Sequence, residues 1–217
     1  MARMKHGPYG PIVGKVGNTV GYIRLGQPIV RTVPSSPKRK KKGTLAQQAA
    51  RKRFSLVTGF IGRINRFTNI SFKVKAQTQV GKTAQNMAMS ANLKNIIVGE
   101  FPDYEIDYSK ALVSEGGLSL PANAQVELVG KQLKYTWDVN PYDNYTEKFS
   151  EVMMLAYFPG SKKVNFDLGG AKRYKGVDVL DIHFRSDEDT FVEVYMSFVS
   201  ADRESVSNSI YLKRMAL

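Results

Sequence analysis

Lys38-Arg39-Lys40-Lys41-Lys42 is the densest concentration of one chemistry in the chain: five consecutive cations, each able to neutralise a phosphate. They stand within a wider field. Residues 1–99 contain nineteen Lys and Arg and no Asp or Glu, and the first acidic side chain is Glu100. Residues 100–217 hold thirteen cations and nineteen acids, so the net charge of +13 is a +19 front half followed by a −6 back half. A division that complete points to a polyanionic partner.

Other residues with chemical potential are few. The absence of Cys excludes disulfides, thiolate metal sites and a Cys nucleophile. There are two histidines: His6 near the N-terminus, and His183, close to Asp181 in a strand pattern. No nucleophile motif accompanies either, and neither G-x-S-x-G nor H-E-x-x-H occurs. Asp103, Glu105 and Asp107 alternate and would share one face of a strand, while Asp187-Glu188-Asp189 reads as a turn. Both groups offer carboxylates of the kind Ca²⁺ takes, but neither has the glycine-bearing EF-hand pattern, so they read as solvated faces or docking sites for cations. The chain therefore reads as non-enzymatic, with no catalytic, cofactor-binding or metal site.

The elements that position the cations follow from local patterns. Residues 7–33 carry glycines at 7, 10, 14, 17, 21 and 26 between short β-branched runs, which predicts strands in a meander with Gly17-Asn18 as a turn. Within that segment the spacing is neither G-x-G-x-x-G nor a P-loop, so the glycines read as turns and bulges. Pro34 to Gly43 forms a cationic loop. Thr44-Leu45-Ala46-Gln47 then has the form of a capping box. Ala46, Ala50, Phe54, Val57, Ile61 and Ile64 recur at helical spacing, which predicts an amphipathic helix over about 45–67, ended by Thr68-Asn69. Its outer side carries Arg51, Lys52, Arg63 and Arg66, and Arg24 and Arg31 extend the cationic track onto the strands. A second helix is predicted over about 82–94, where Ala84, Met87, Ala88 and Ala91 share a face.

From residue 100 the pattern is that of strands: 104–108, 111–114, 118–120, 126–129 with 133–137 about a turn at Gly130, 152–158, 177–184, 190–199 and 210–212. Val152–Phe158 is continuously apolar, as in a strand buried on both faces. The expected fold is mainly β with two helices, an α+β protein. A basic strand and helix region at 1–99 precedes an acidic, immunoglobulin-like β-sandwich at 100–217 with Trp137 at its centre.

Gly14-Lys15-Val16-Gly17-Asn18-Thr19-Val20-Gly21 and the run from Thr44 to Phe54 resemble a family of uncharacterised proteins found mainly in Bacteroidota. Ser197-Phe198-Val199-Ser200, Val206-Ser207-Asn208-Ser209 and Tyr211-Leu212 extend the resemblance over most of the chain. It implies one coherent unit and brings no activity, cofactor or site with it.

These readings converge on a structural protein that binds nucleic acid, DNA or RNA, without strong sequence preference. Lys38, Arg39, Lys40, Lys41, Lys42, Arg51, Lys52, Arg63, Arg66, Arg24 and Arg31 would neutralise its phosphates. The alternative is a self-assembling phage or mobile-element particle component, a homo-oligomer or larger assembly whose basic arm meets neighbouring subunits. An anionic membrane surface is a third, less favoured partner. No stretch approaches the roughly 18 apolar residues of a membrane span and no secretory signal is legible, so a cytoplasmic or virion location is expected.

Overall fold

The computed structural model describes every residue except 1, 5, 8, 36–42, 185 and 186. Among the described residues the fold is mixed α+β, with five α-helices and several antiparallel sheets. It opens with a meander of β1 (Arg3–Met4), β2 (Ile12–Val16), β3 (Thr19–Arg24) and β4 (Gln27–Thr32). Four helices follow: α1 (Leu45–Arg63), α2 (Asn65–Ser71), α3 (Lys73–Gln77) and α4 (Ala84–Asn92). A two-stranded ribbon of β5 (Ile97–Val98) and β6 (Glu105–Ile106) leads into the back half.

The back half contains β7 (Gln125–Val129), β8 (Gln132–Thr136), α5 (Tyr145–Lys148), β9 (Glu151–Phe158), β10 (Lys163–Asp167), β11 (Val177–Asp181), β12 (Phe191–Val199) and β13 (Ile210–Ala216). A four-stranded sheet of order β10-β9-β12-β13 lies at the centre, with a three-stranded sheet, β11-β8-β7, on one side. Because side chains alternate along a strand, β9 serves two cores. Val152, Met154, Ala156 and Phe158 join Leu133, Tyr135, Trp137 and Leu180 between the sheets. Met153, Leu155 and Tyr157 join Val57, Phe60, Ile61, Ile64, Phe67 and Phe72 of the helical layer. The order of layers is helices, sheet, sheet. Trp137 is buried as expected, its ring edge-on to Phe198 at 5.4 Å and its Nε1 donating to the Arg173 carbonyl at 2.8 Å.

The helical core thus crosses residue 99, since front-half helices cover a back-half sheet. The charge boundary falls between residues that share one hydrophobic cluster.

Several elements differ from expectation. The helix expected over 45–67 is a bent run of three helices reaching Gln77, interrupted at Ile64 and Phe72. Both interrupting side chains are fully buried, so the bends keep them against the sheet. Thr68 does not end the run, because its hydroxyl donates to the Asn65 carbonyl at 3.2 Å and its N–H bonds the Ile64 carbonyl. The first turns of α1 stand clear of the core, with Phe54 55% exposed; Ala49 is the buried residue there, and the core contacts begin at Val57. Residues 111–114 and 118–120 are extended loops with one bridge, Leu118 to Ser207, while β10 arises where no strand was expected.

A tyrosine cluster lines the helix-facing side of the central sheet. Glu193 is fully buried and accepts from Tyr211 Oη and Arg214 Nε, both at 2.8 Å. Burial, then the Glu193 carboxylate, pushes the Tyr211 hydroxyl up to about 12, and burial also raises Tyr108 and Tyr195. An unfolded chain releases such protons near 10 while the folded one retains them. Stability is therefore full below about pH 10 and falls as pH rises toward 12. Urea midpoints across that window should show this loss, and Tyr211→Phe should reduce its steepness.

Candidate nucleic-acid interface

The front sheet presents two unlike faces. Residues paired across antiparallel strands share a face, so Lys15, Val20, Tyr22, Arg24, Gln27, Ile29 and Arg31 lie on one side of β2, β3 and β4. Val16, Thr19, Gly21, Ile23, Pro28, Val30 and Thr32 lie on the other, which carries no charge. Arg24 and Arg31 are thus brought to one face, both exposed, with the Arg31 guanidinium 5.5 Å from the Tyr22 ring centroid. Two glycines shape this sheet. Gly14, at φ +116°, bends β2, and the Ile12 carbonyl then lies against Gly21 where a Cβ would collide with it.

No residue of this sheet belongs to either hydrophobic core. Its uncharged face leaves Val16, Ile23 and Val30 exposed by 44–61%. Gly21→Val should accordingly disrupt the sheet alone. Limited proteolysis should then cut readily within about the first 35 residues, while the unfolding free energy of the core changes by less than about 0.5 kcal/mol.

The second group of cations stands on the helices. The capping box at the start of α1 is formed: Thr44 Oγ1 accepts from the Gln47 N–H and Gln47 Oε1 from the Thr44 N–H, both at 3.3 Å. This fixes the helix phase, with Val57, Phe60 and Ile61 turned into the core and Arg51, Lys52 and Arg63 exposed. Arg51 and Arg63 lie twelve residues apart, about 18 Å along the axis, roughly five base-pair rises of a duplex. Arg66 is exposed on α2 beyond the bend. The apolar side of α1 lies in the core from Val57 onward, while Leu45 and Phe54 are exposed. Lys38, Arg39, Lys40, Lys41 and Lys42 lie outside the described residues, in the segment joining the sheet to α1.

Ion pairing separates the two halves. Among the described residues the cations paired with carboxylates are Lys75, Lys110, Lys172, Arg173, Arg203 and Arg214. Of these only Lys75, paired with Glu115, belongs to the front half. Arg24, Arg31, Arg51, Lys52, Arg63 and Arg66 are left to solvent or a ligand.

The acidic groups are dispersed. Asp107 leaves the alternation with Asp103 and Glu105 to cap a 3₁₀ turn at Tyr108–Lys110. The Ser109 hydroxyl, then Lys110 at 2.9 Å, holds its carboxyl below the usual range. Asp189 accepts from the Ser161 N–H and hydroxyl at 2.9 Å, and Asp181 accepts from Gln132 Nε2 at 2.8 Å. Among the described residues no group of three or more His, Asp or Glu is arranged to hold a metal ion. Gly81-Lys82-Thr83 precedes α4, but Thr83 Oγ1 is committed to capping it through the Asn86 N–H.

Sequence patterns missed Arg53, Lys94, Phe101 and Tyr104, which line a hollow beside α1. They are spread over fifty residues without periodicity; the one local signal was the Arg51-Lys52-Arg53 run.

The fold and the exposed cations define a mixed α+β protein with a basic front half in which, among the described residues, Lys75 alone is paired with a carboxylate. The chain belongs to a family of unknown function (DUF6266), whose model matches residues 11–213. No curated protein and no solved structure matches it. Among the described residues no helix is long and apolar enough to cross a membrane.

Proposed function

We propose that this protein is a non-enzymatic structural protein that binds nucleic acid, DNA or RNA, through its basic N-terminal half and without strong sequence preference. The observation carrying this reading is a front half with no acidic residue and with exposed cations on both the sheet and α1. Arg24, Arg31, Arg51, Lys52, Arg63 and Arg66 flank the segment Lys38–Lys42 on either side in the chain. Counterion release on phosphate neutralisation supplies the driving force.

The back half serves as scaffold, which we read as an immunoglobulin-like sandwich. Strand order supports this. Lettered A to G in chain order, β7 to β13 form sheets E-B-A and D-C-F-G. Compared with the constant-type arrangement ABED and CFG, only strand D has changed sheets. In this reading the protein works in the cytoplasm or inside a particle. The test is a 260/280 nm absorbance ratio of protein purified before and after nuclease treatment, followed by binding measured across a salt series.

The uncharged face of the front sheet favours a second reading, a self-assembling phage or mobile-element particle component. Exposed Val16, Ile23 and Val30 suit an apolar protein neighbour better than a phosphate backbone. Sedimentation of nuclease-treated protein over a range of concentrations tests it. Mass that grows with concentration and returns to the monomer in Gly21→Val supports assembly through this sheet, and a strict monomer counts against it.

A further inference from the structure

The hollow beside α1 has a volume of about 580 Å³, within the range of small-ligand sites. Its wall is built by three separate parts of the chain: Arg53 of α1, Lys94 just after α4, and Ile97 to Tyr104 around the β5–β6 ribbon. Ala50, Leu93 and Ile97 give it an aliphatic wall, and Phe101 and Tyr104 an aromatic one. The two rings lie 6.3 Å apart at 56°, so a flat ligand can stack on one and meet the other edge-on. Phe101 is 37% exposed and has ring surface available from solvent. Arg53 sits 5.4 Å from the Tyr104 ring centroid, which places a guanidinium at the side of the cavity, and Lys94 adds an exposed ammonium. Glu100 is the one acidic residue in the lining.

We infer that this cavity takes the base of a single unpaired nucleotide, stacked on Phe101, with its phosphate held by Arg53 and Lys94. An aromatic wall with two cations beside it matches a flat heterocycle that carries an anion, the combination by which proteins hold single strands. A base paired within a duplex cannot enter, so this cavity distinguishes single strands from duplex. The exposed cations elsewhere do not. Glu100, an acceptor without donors, favours bases bearing an exocyclic amino group over thymine or uracil. The inference rests on the nucleic-acid reading above and adds the strandedness of the ligand.

Adenosine 5′-monophosphate tests the cavity without the phosphate track. It should quench the emission of F101W, a variant that keeps an aromatic surface in place. A mixed-sequence single-stranded oligonucleotide and its duplex, bound at low salt, then test the consequence. Phe101→Ala should weaken the single strand about 5- to 100-fold while leaving duplex affinity unchanged. Phe101→Leu, which retains apolar bulk, should show the same selective loss, which separates stacking from a folding defect. Absence of nucleotide quenching, or equal loss for single strand and duplex, overturns the inference. Quenching by the nucleotide with no oligonucleotide bound at any salt would instead uphold the cavity and refute the polyanion reading.

Discussion

Raising salt from 50 to 200 mM is expected to weaken binding of nuclease-treated protein to a mixed-sequence duplex by about 10³-fold or more. The logarithm of affinity falls with the logarithm of salt by about 0.9 per phosphate neutralised, and a fourfold change in salt is about 0.6 of a decade. Six contacts, the number of exposed cations assigned on the sheet and helices, then give roughly three decades. Replacing all five of Lys38, Arg39, Lys40, Lys41 and Lys42 by Gln should lower the slope by up to about 4.5, and Arg51→Gln with Lys52→Gln by about 2. These losses should be nearly uniform across DNA sequences, because phosphate contacts position a protein without reading bases. Titrations of labelled duplexes of unrelated sequence at four or more salt concentrations measure both quantities. A flat salt response would sink the proposal, and a strong preference for one sequence would replace it with base readout.

How much of this molecule was legible beforehand depends on the range of the interaction involved. Local signals read well. Thr44 and Gln47 form their reciprocal cap, Gly130-Lys131 turns β7 into β8, and the unbroken apolar run of β9 belongs to a strand buried on both faces. What covers those faces is a long-range matter. Nothing local to Phe60 says that its ring will lie 5.0 Å from that of Tyr157, nearly a hundred residues away. For the same reason the bends at Ile64 and Phe72 were invisible: periodicity describes an isolated helix, whereas bending is imposed by the sheet beneath it. Ala50 and Phe54 show the converse error, since helical spacing placed them on the apolar side and both are exposed, outside the hydrophobic core that begins at Val57. Only Val164 and Phe166 mark β10 in the sequence, and its identity as a strand comes from pairing with β9. Charge was legible by counting. Its division between two faces of one sheet required the pairing of Val20 with Arg31 and of Gly21 with Val30.

Arg173→Met is expected to destabilise the fold by about 3–5 kcal/mol, the range for breaking a buried ion pair from one side. Arg173 is 2% exposed, and its Nε lies 2.9 Å from Asp143 Oδ2, itself on a side chain only 4% exposed. The Nε–H does not point along a hydrogen-bonding direction to that oxygen, so their attraction is chiefly that of two charges. The other nitrogens are better placed: Nη1 donates to the Ser119 carbonyl at 2.7 Å and Nη2 to the Ser119 hydroxyl at 3.1 Å. The guanidinium also lies 5.2 Å from the Phe198 ring centroid, in the core that holds Trp137. Removing the cation leaves Asp143 charged, buried and unpartnered by Arg173, which is the costly outcome. Removing both charges with Arg173→Met and Asp143→Leu should recover much of the loss, since an apolar pair of similar volume has no charge to desolvate. Urea unfolding followed by the fluorescence of Trp137, the single tryptophan, reports both variants from within the affected core. If the double variant is as unstable as Arg173→Met, the stabilising contacts are those to Ser119 and Phe198, and Asp143 serves only to balance the charge that makes them.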